Sequence, residues 1–296
     1  MKFKGHESFA IRRGWLYKGM KHVRERGDIF LAKDAMEELG LGSNMVKSLR
    51  YWMQATGITA EPNSGKRAQS LTEFGNLIAE HDPYLEEMGT LFFIHYKIAS
   101  RKSMATSWYY FFNNFHITEF TKEDFIKAIN AYVLEETGED GSIRSLTDDF
   151  NCIIGTYVPR HELNPGKVSP ETNIDCPLGE LGLIHQIDKS KKIFKKTTPS
   201  MTIDPWVTLA VIMDNANGRS DISLNELLTG TNNIGRMFNL DVISMIDILQ
   251  NAEYTNSIKI IRTAGLDIVR LENKYSFIDC VRNYYQSVEH GTLGAY

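Results

Sequence analysis

The segment from Ala32 to Ala55 constrains this chain most. Ala32 to Leu39 has the apolar spacing of a short helix. Gly40-Leu41-Gly42 is a tight turn, and Ser43 is a good N-cap residue for a third helix from Asn44 to about Ala55. Two short helices joined by a glycine-containing turn are the sequence form of a helix-turn-helix. Upstream, Trp15, Leu16, Met20 and Val23 recur at helical spacing over Gly14 to about Arg26. Downstream, Ile58 to Glu61 and Ala68 to Leu71 read as strands around the basic turn Pro62-Asn63-Ser64-Gly65-Lys66-Arg67. Thr72 then caps a helix containing Phe74, Leu77 and Ile78 and closed by Pro83. The order helix, helix-turn-helix, hairpin, helix is that of a winged helix-turn-helix, expected over residues 1–90.

Charge supports a polyanion partner for this part. Residues 1–67 carry 13 Lys+Arg against 7 Asp+Glu, whereas the remainder carries 20 against 30, for a chain net charge of -4. On the third helix, Met45, Val46, Leu49, Trp52 and Met53 share an apolar face. Asn44, Lys47, Ser48, Tyr51 and Gln54 fall on the other, with Arg50 at its border. Asn and Gln suit adenine, Arg suits guanine, and Lys and Ser reach phosphates. With Arg12 and Arg13 before the first helix and Lys66 and Arg67 at the wing tip, these ten residues form the expected DNA-binding set. The same pattern also describes a solvated helix face.

The expected fold class is mainly α with small β-hairpin wings. After the winged helix comes a helical, aromatic-rich middle domain over residues 91–200. Trp108-Tyr109-Tyr110-Phe111-Phe112, Phe125, Ile129 and Val133 supply its core. Thr121 and Asp124 form a capping box. Residues 159–177, with four prolines, read as a long loop, and Leu183-Ile184 and Ile193-Phe194 as a hairpin. Residues 201–290 repeat the first architecture. A helix over Pro205 to Asn215, a capping box at Ser223-x-x-Glu226, a helix over Leu240 to Glu253 and strands at Ser257 to Arg262 and Leu266 to Leu271 give a second winged helix. Its recognition-like helix carries Asp241, Asp247 and Glu253 and no Lys or Arg, so phosphates would repel it, and packing within the fold or against a protein partner suits it better.

Signals for catalysis are weak. His6 and Glu7, near Arg12 and Arg13, could supply a base and phosphate clamps, although a structural cluster reads better. Asp267 with Glu272-Asn273-Lys274 superficially resembles a D…E-x-K metal motif but sits in a strand pattern. Cys152, Cys176 and Cys280 are far apart, form no zinc pattern and read as buried thiols. There is no P-loop, G-x-G-x-x-G or H-E-x-x-H, so no nucleotide or organic cofactor is implied. No apolar run spans a bilayer, and the first residues lack the core of a signal peptide, so a cytoplasmic protein without membrane contact is expected.

Gly5-His6-Glu7-Ser8-Phe9, Arg13-Gly14-Trp15-Leu16 and Leu39-Gly40-Leu41-Gly42-Ser43-Asn44-Met45-Val46-Lys47-Ser48-Leu49-Arg50-Tyr51-Trp52 resemble a bacterial family labelled as a domain of unknown function that occurs beside DNA phosphorothioation genes. Cys176-Pro177-Leu178, Glu180-Leu181-Gly182-Leu183-Ile184 and Asp204-Pro205-Trp206 extend the resemblance over most of the chain. The SspB-like members nick DNA during sulfur insertion, beside a cysteine desulfurase, an ATPase and a sulfurtransferase. The resemblance therefore implies a DNA-nicking component of an antiphage modification system with those partners, and Mg²⁺ or Mn²⁺ as the metal. A non-catalytic DNA-binding adaptor or regulator is the alternative, and a homodimer is left open. The resemblance assigns no catalytic residue beyond the weak His6 and Glu7.

Overall fold

In a computed structural model, which describes residues 1–62, 65, 67–159, 176–263 and 266–291, the chain divides into two compact units, Met1–Lys196 and Thr197–Tyr296. Both are mainly helical with small antiparallel sheets. Among the described residues, no helix is long and apolar enough to cross a membrane.

The first unit opens with α1 (Trp15–Glu25), a 3-10 turn at Ile29–Leu31, α2 (Ala35–Leu39) and α3 (Ser43–Ala55). Helix α2 starts three residues later than the pattern suggested, because residues 32–34 form a turn in which the Ala35 N–H donates to the Ala32 carbonyl at 3.2 Å. Gly42, not Ser43, is the N-cap of α3, and no side chain caps that end. Strands β1 (Thr59–Ala60) and β2 (Ser70–Leu71) pair antiparallel, Thr59 with Leu71 and Ala60 with Ser70. They are shorter than the four-residue strands expected. Thr72 caps α4 (Glu73–His81) by accepting the Gly75 N–H at 2.9 Å. A Cβ on Gly75 would lie 2.0 Å from the Ile58 carbonyl oxygen, so the close seating of α4 on the start of β1 requires glycine there.

The remainder of the unit is α5 (Met88–Ala99), α6 (Thr106–Asn113), β3 (Glu119–Phe120), α7 (Lys122–Thr137), α8 (Ile143–Tyr157), a 3-10 turn at Pro177–Leu181, β4 (Ile184–Asp188) and β5 (Ile193–Lys196). Thr121 and Asp124 close the expected capping box on α7. The sequence pattern predicts the β4–β5 hairpin but not β3, which pairs with β5 and makes a three-stranded sheet ordered β3-β5-β4. Phe111, Phe115, Phe120, Phe125, Phe150 and Phe194 form one cluster, with neighbouring ring centroids 5.4–6.5 Å apart. Edge-to-face and tilted pairs at these distances add to area burial in holding helices and sheet together. Residues 160–175, most of the expected loop, lie outside the described residues.

The second unit contains α9 (Pro205–Asn215), β6 (Asp221–Ser223), α10 (Leu224–Thr229), α11 (Ile234–Met237), α12 (Val242–Glu253), β7 (Ile258–Thr263), β8 (Leu266–Leu271) and α13 (Phe277–Glu289). Asp204 caps α9, with Pro205 at its first position, the residue type pre-set for that place. Helix α9 buries Val207, Leu209, Val211 and Ile212 against α12 and α13. Strand β6 adds an edge to the β7–β8 hairpin, giving the order β6-β8-β7.

Candidate nucleic-acid interface

The side of α3 expected to face DNA is largely covered. Ser48 is fully buried and its hydroxyl donates to the Phe9 carbonyl at 3.4 Å. Tyr51 is 5% exposed, and its hydroxyl donates to the Met104 carbonyl at 3.1 Å. Burial, and then the nearby Asp149 carboxylate, push the Tyr51 phenol well above its usual range. Gly5 approaches the same ring so closely that a Cβ there would lie 2.5 Å from it. Ser48 and Tyr51 therefore cannot reach a base, because the N-terminal segment and the Met104 turn lie against the helix on that side.

Arg50, Gln54, Glu61 and Arg67 form one polar cluster. The Arg50 guanidinium donates to both Glu61 oxygens at 2.8 Å, and Gln54 Nε2 donates to Glu61 Oε2 at 3.2 Å. Arg67 Nε stands 3.9 Å from Glu61 with its side chain 67% exposed. Gln69, buried just before β2, takes the Thr59 hydroxyl on its oxygen and donates to the Arg50 carbonyl, tying that segment to β1 and α3. A guanidinium held by a carboxylate is positioned and neutralised, so Arg50 and Gln54, both half-buried, are engaged by Glu61 here. Asn44 and Lys47 are exposed on the first turns of α3. Arg12 stacks on Phe9 and Trp15, with its guanidinium carbon 5.7 and 5.4 Å from their ring centres. Arg13 is exposed and pairs with Glu180. Lys66 lies outside the described residues. Of the ten residues expected at DNA, the structure leaves Arg13, Asn44, Lys47 and Arg67 exposed, Arg12, Arg50 and Gln54 half-buried, and Ser48 and Tyr51 buried.

His6 and its surroundings do not make a metal or nucleophile site. His6 is 1% exposed, lies against Trp52 with centroids 6.0 Å apart and planes 17° apart, and meets Trp108 edge-on at 5.6 Å. Its Nδ1 accepts the Ser8 N–H at 3.0 Å, so the proton sits on Nε2, which donates to Asp149 Oδ1 at 2.7 Å. Asp149 also accepts the Lys4 N–H at 2.8 Å and the Ser107 hydroxyl at 2.5 Å. Each of these groups is satisfied by the others in a buried cluster. Lys4, Glu7 and Ser8 all have positive φ, which coils this segment tightly over α3. The Phe9 carbonyl at its end accepts Trp52 Nε1 at 2.8 Å. The weak candidates His6 and Glu7 are thus parts of a clasp.

Among the described residues, no group of three His, Cys, Asp or Glu side chains is placed to hold a metal ion. Asp267 sits on β8 opposite Arg262 of β7. Cys152, Cys176 and Cys280 are buried free thiols, and burial raises the Cys152 and Cys280 thiols, the latter to about 12. Thiols held protonated in this way are poor nucleophiles.

The family described as protein of unknown function (DUF4007) matches residues 3–285. The chain belongs to that family. No curated protein matches it. Two solved structures are similar along its whole length. One is a magnesium ion-bound SspB crystal structure, with 27% identity, a TM-score of 0.83 and coverage of 100% of this chain and 89% of that one. The other is an SspB crystal structure, with 27% identity, a TM-score of 0.82 and the same coverage. This DUF4007 member is therefore SspB-like in sequence and fold.

The fold also brings forward one element that the charge count over residues 68–296 had hidden. The β4–β5 hairpin places five lysines between positions 189 and 196. Summing them with a distant acidic majority removed the signal, and a count in short windows would have kept it.

Proposed function

We propose that this chain is an SspB-like, DNA-binding component of a DNA phosphorothioation system, and that it nicks DNA for sulfur insertion. The observation that carries the reading is similarity to SspB over the whole chain at 27% identity and a TM-score of 0.83. In this reading α2, α3 and the β1–β2 hairpin act as a winged helix-turn-helix, α3 lies along a duplex, and Lys47, Asn44 and Arg67 contact its backbone with Arg12 and Arg13 beside them. The second unit, with α12 in the recognition position, is a second winged helix turned to protein contact. Its helix presents Val242 and Ile243, 56% and 74% exposed, with Asp241 at its N-cap and Asp247 on the outer side. An apolar and acidic face of that kind suits a partner enzyme of sulfur insertion, such as the ATPase, the sulfurtransferase or the cysteine desulfurase, all acting in the cytoplasm.

Mg²⁺ is the metal for the nicking step in this proposal, since one of the similar structures is magnesium-bound SspB. No described donor set fits a metal, so no step of the reaction is assigned to a residue. The saturated hydrogen bonding of His6 and Asp149 favours a second reading, a non-catalytic adaptor that positions partners on DNA. Supercoiled plasmid incubated with the full chain, with Mg²⁺, with Mn²⁺ and with chelator, separates the two. Metal-dependent open circles support nicking. Intact supercoils under conditions where the plasmid is bound leave the adaptor. Binding itself is tested with Lys47→Ala/Arg67→Ala, which should lower the log-log salt slope by about 0.9 for each phosphate no longer neutralised. An unchanged slope in a folded double variant would remove α3 and the wing from the interface.

A further inference from the structure

The β4–β5 hairpin is strongly basic. Lys189, Lys191, Lys192, Lys195 and Lys196 stand with one carboxylate, Asp188, in a chain of net charge -4. Lys195 and Lys196 are held against the rest of the unit. Lys196 Nζ donates to the Phe111 and Phe115 carbonyls at 2.5 and 2.6 Å and lies 4.4 Å from the Phe111 ring centre. Lys195 pairs with Glu119 across the β3–β5 register at 2.9 Å. Asp188 is engaged within the turn, accepting the Ser190 hydroxyl at 2.7 Å and the Lys191 N–H at 2.8 Å. Lys189, Lys191 and Lys192 are exposed at the tip, where Lys192 holds a positive φ of 53°.

Behind this tip, between α8 and the hairpin, runs a groove of ≈ 800 Å³. Ile154, Val158 and Phe194 give it an apolar floor. Asn151 on the α8 side, His185 and Gln186 on the hairpin side supply hydrogen-bonding groups, and Lys189 and Lys192 line its edge. A flat apolar body with polar edges and a negative charge on one side matches all three features. An unpaired nucleotide within a strand has that form. Bases in a duplex are stacked and show only their groove edges, so a concave site with an apolar floor selects the unpaired strand.

We propose that this groove holds single-stranded DNA, with an unpaired base over the apolar floor and the flanking phosphates on Lys189, Lys191 and Lys192. This goes beyond the duplex surface assigned to α3 and the wing, and uses different residues. The test is fluorescence anisotropy of the full chain with a labelled short oligothymidylate and, separately, a labelled duplex. Lys189→Gln/Lys191→Gln/Lys192→Asn (Asn tolerates the positive φ) should weaken oligothymidylate binding about tenfold or more and lower its salt slope by about 2, at about 0.7 for each single-strand phosphate neutralised. Asn151→Asp, which places a negative charge on the exposed α8 wall, should weaken the same binding without touching the hairpin. Neither variant should move the duplex slope, which Lys47→Ala reports in parallel. Oligothymidylate binding that is absent in the parent, or equal in parent and both variants, overturns the proposal. So does equal loss of duplex binding, which would make the hairpin a duplex contact. Displacement of the oligonucleotide by free dTMP at matching concentration would also overturn it in favour of a mononucleotide site. Loss with Lys47→Ala alone refutes the groove and leaves the α3 reading standing.

Discussion

Replacing Asp149 with Ala should unfold the first unit at markedly lower denaturant. Asp149 is 1% exposed and accepts three donors, the Lys4 N–H, His6 Nε2–H and the Ser107 hydroxyl, at 2.5–2.8 Å. Removal leaves three buried donors without an acceptor, each at about 1–3 kcal/mol. Relaxation and entry of water into the vacated space reduce the sum, and loss of one partner from a buried charged network costs about 3–5 kcal/mol in total. Asp149→Asn keeps the shape and one oxygen and should cost about 1–3 kcal/mol, since its amide cannot accept from a donor. His6→Ala should cost about 3–5 kcal/mol, because it removes a ring packed between Trp52 and Trp108 and strands the carboxylate. Urea unfolding of the full chain followed by tryptophan fluorescence reports the site directly, as Trp52 and Trp108 flank His6. The result that refutes this reasoning is a His6→Ala chain with the parent's unfolding midpoint and no plasmid nicking. That would make His6 a catalytic group and the hydrogen bonds around it incidental.

Trp52→Ala should destabilise the same unit by about 3–5 kcal/mol, read as a shifted urea midpoint, since Trp52 is fully buried and its Nε1 bonds the Phe9 carbonyl. Gly75→Ala should lower the melting temperature by several degrees, because the new methyl meets the Ile58 carbonyl and displaces α4 from β1. Glu61→Gln should release Arg50 and steepen the duplex salt slope by up to about 0.9, measured by anisotropy titrations at several salt concentrations. Burial raises the Asp204 carboxyl to about 6, against about 4 in the unfolded chain, so its contribution to stability is full below about pH 4 and is lost as pH rises through about 6. Asp204→Asn keeps the cap on Trp206 and should stabilise the second unit by up to about 3 kcal/mol at neutral pH and by little near pH 4, as read from melting curves at both.

The sequence was readable where local physics decides. Helix α9 follows its pattern to the residue, because Asp204 caps it and Pro205 opens it. The periodicity of α3 correctly placed Leu49, Trp52 and Met53 inside. It also put Ser48 and Tyr51 outside, and there it failed. A helical period separates two faces but does not say how many neighbours cover them, and the covering residues come from Gly5, Phe9 and Met104. Strands β3 and β6 were illegible for the same reason. At two and three residues they carry no alternation of their own, and exist because β5 and β8 offer edges from far along the chain. The bidentate Glu61 partner of Arg50 lies eleven residues away across the turn after α3, beyond any helical spacing rule.

The segments that carry the family resemblance are largely those that hold the fold. Gly5 lets Tyr51 approach, His6 fills the space between two tryptophans, and Phe9 accepts from Trp52 and Ser48. Trp15 and Leu16 are buried, Leu178 and Leu181 close the 3-10 turn, and Asp204 caps α9. Similarity along such residues transmits architecture by physical necessity, because a change at any of them leaves a cavity, a clash or an unpaired buried group. Activity has no such anchor in them. In the proposed reading it resides in exposed groups that the fold tolerates in many forms, namely Lys47, Arg67 and the lysines at the β4–β5 tip. Substitutions at the clasp should therefore move stability and binding together, whereas substitutions at those cations should move binding alone. That separation is the measurable difference between a residue that holds the SspB-like fold and a residue that contacts DNA in the proposed reading.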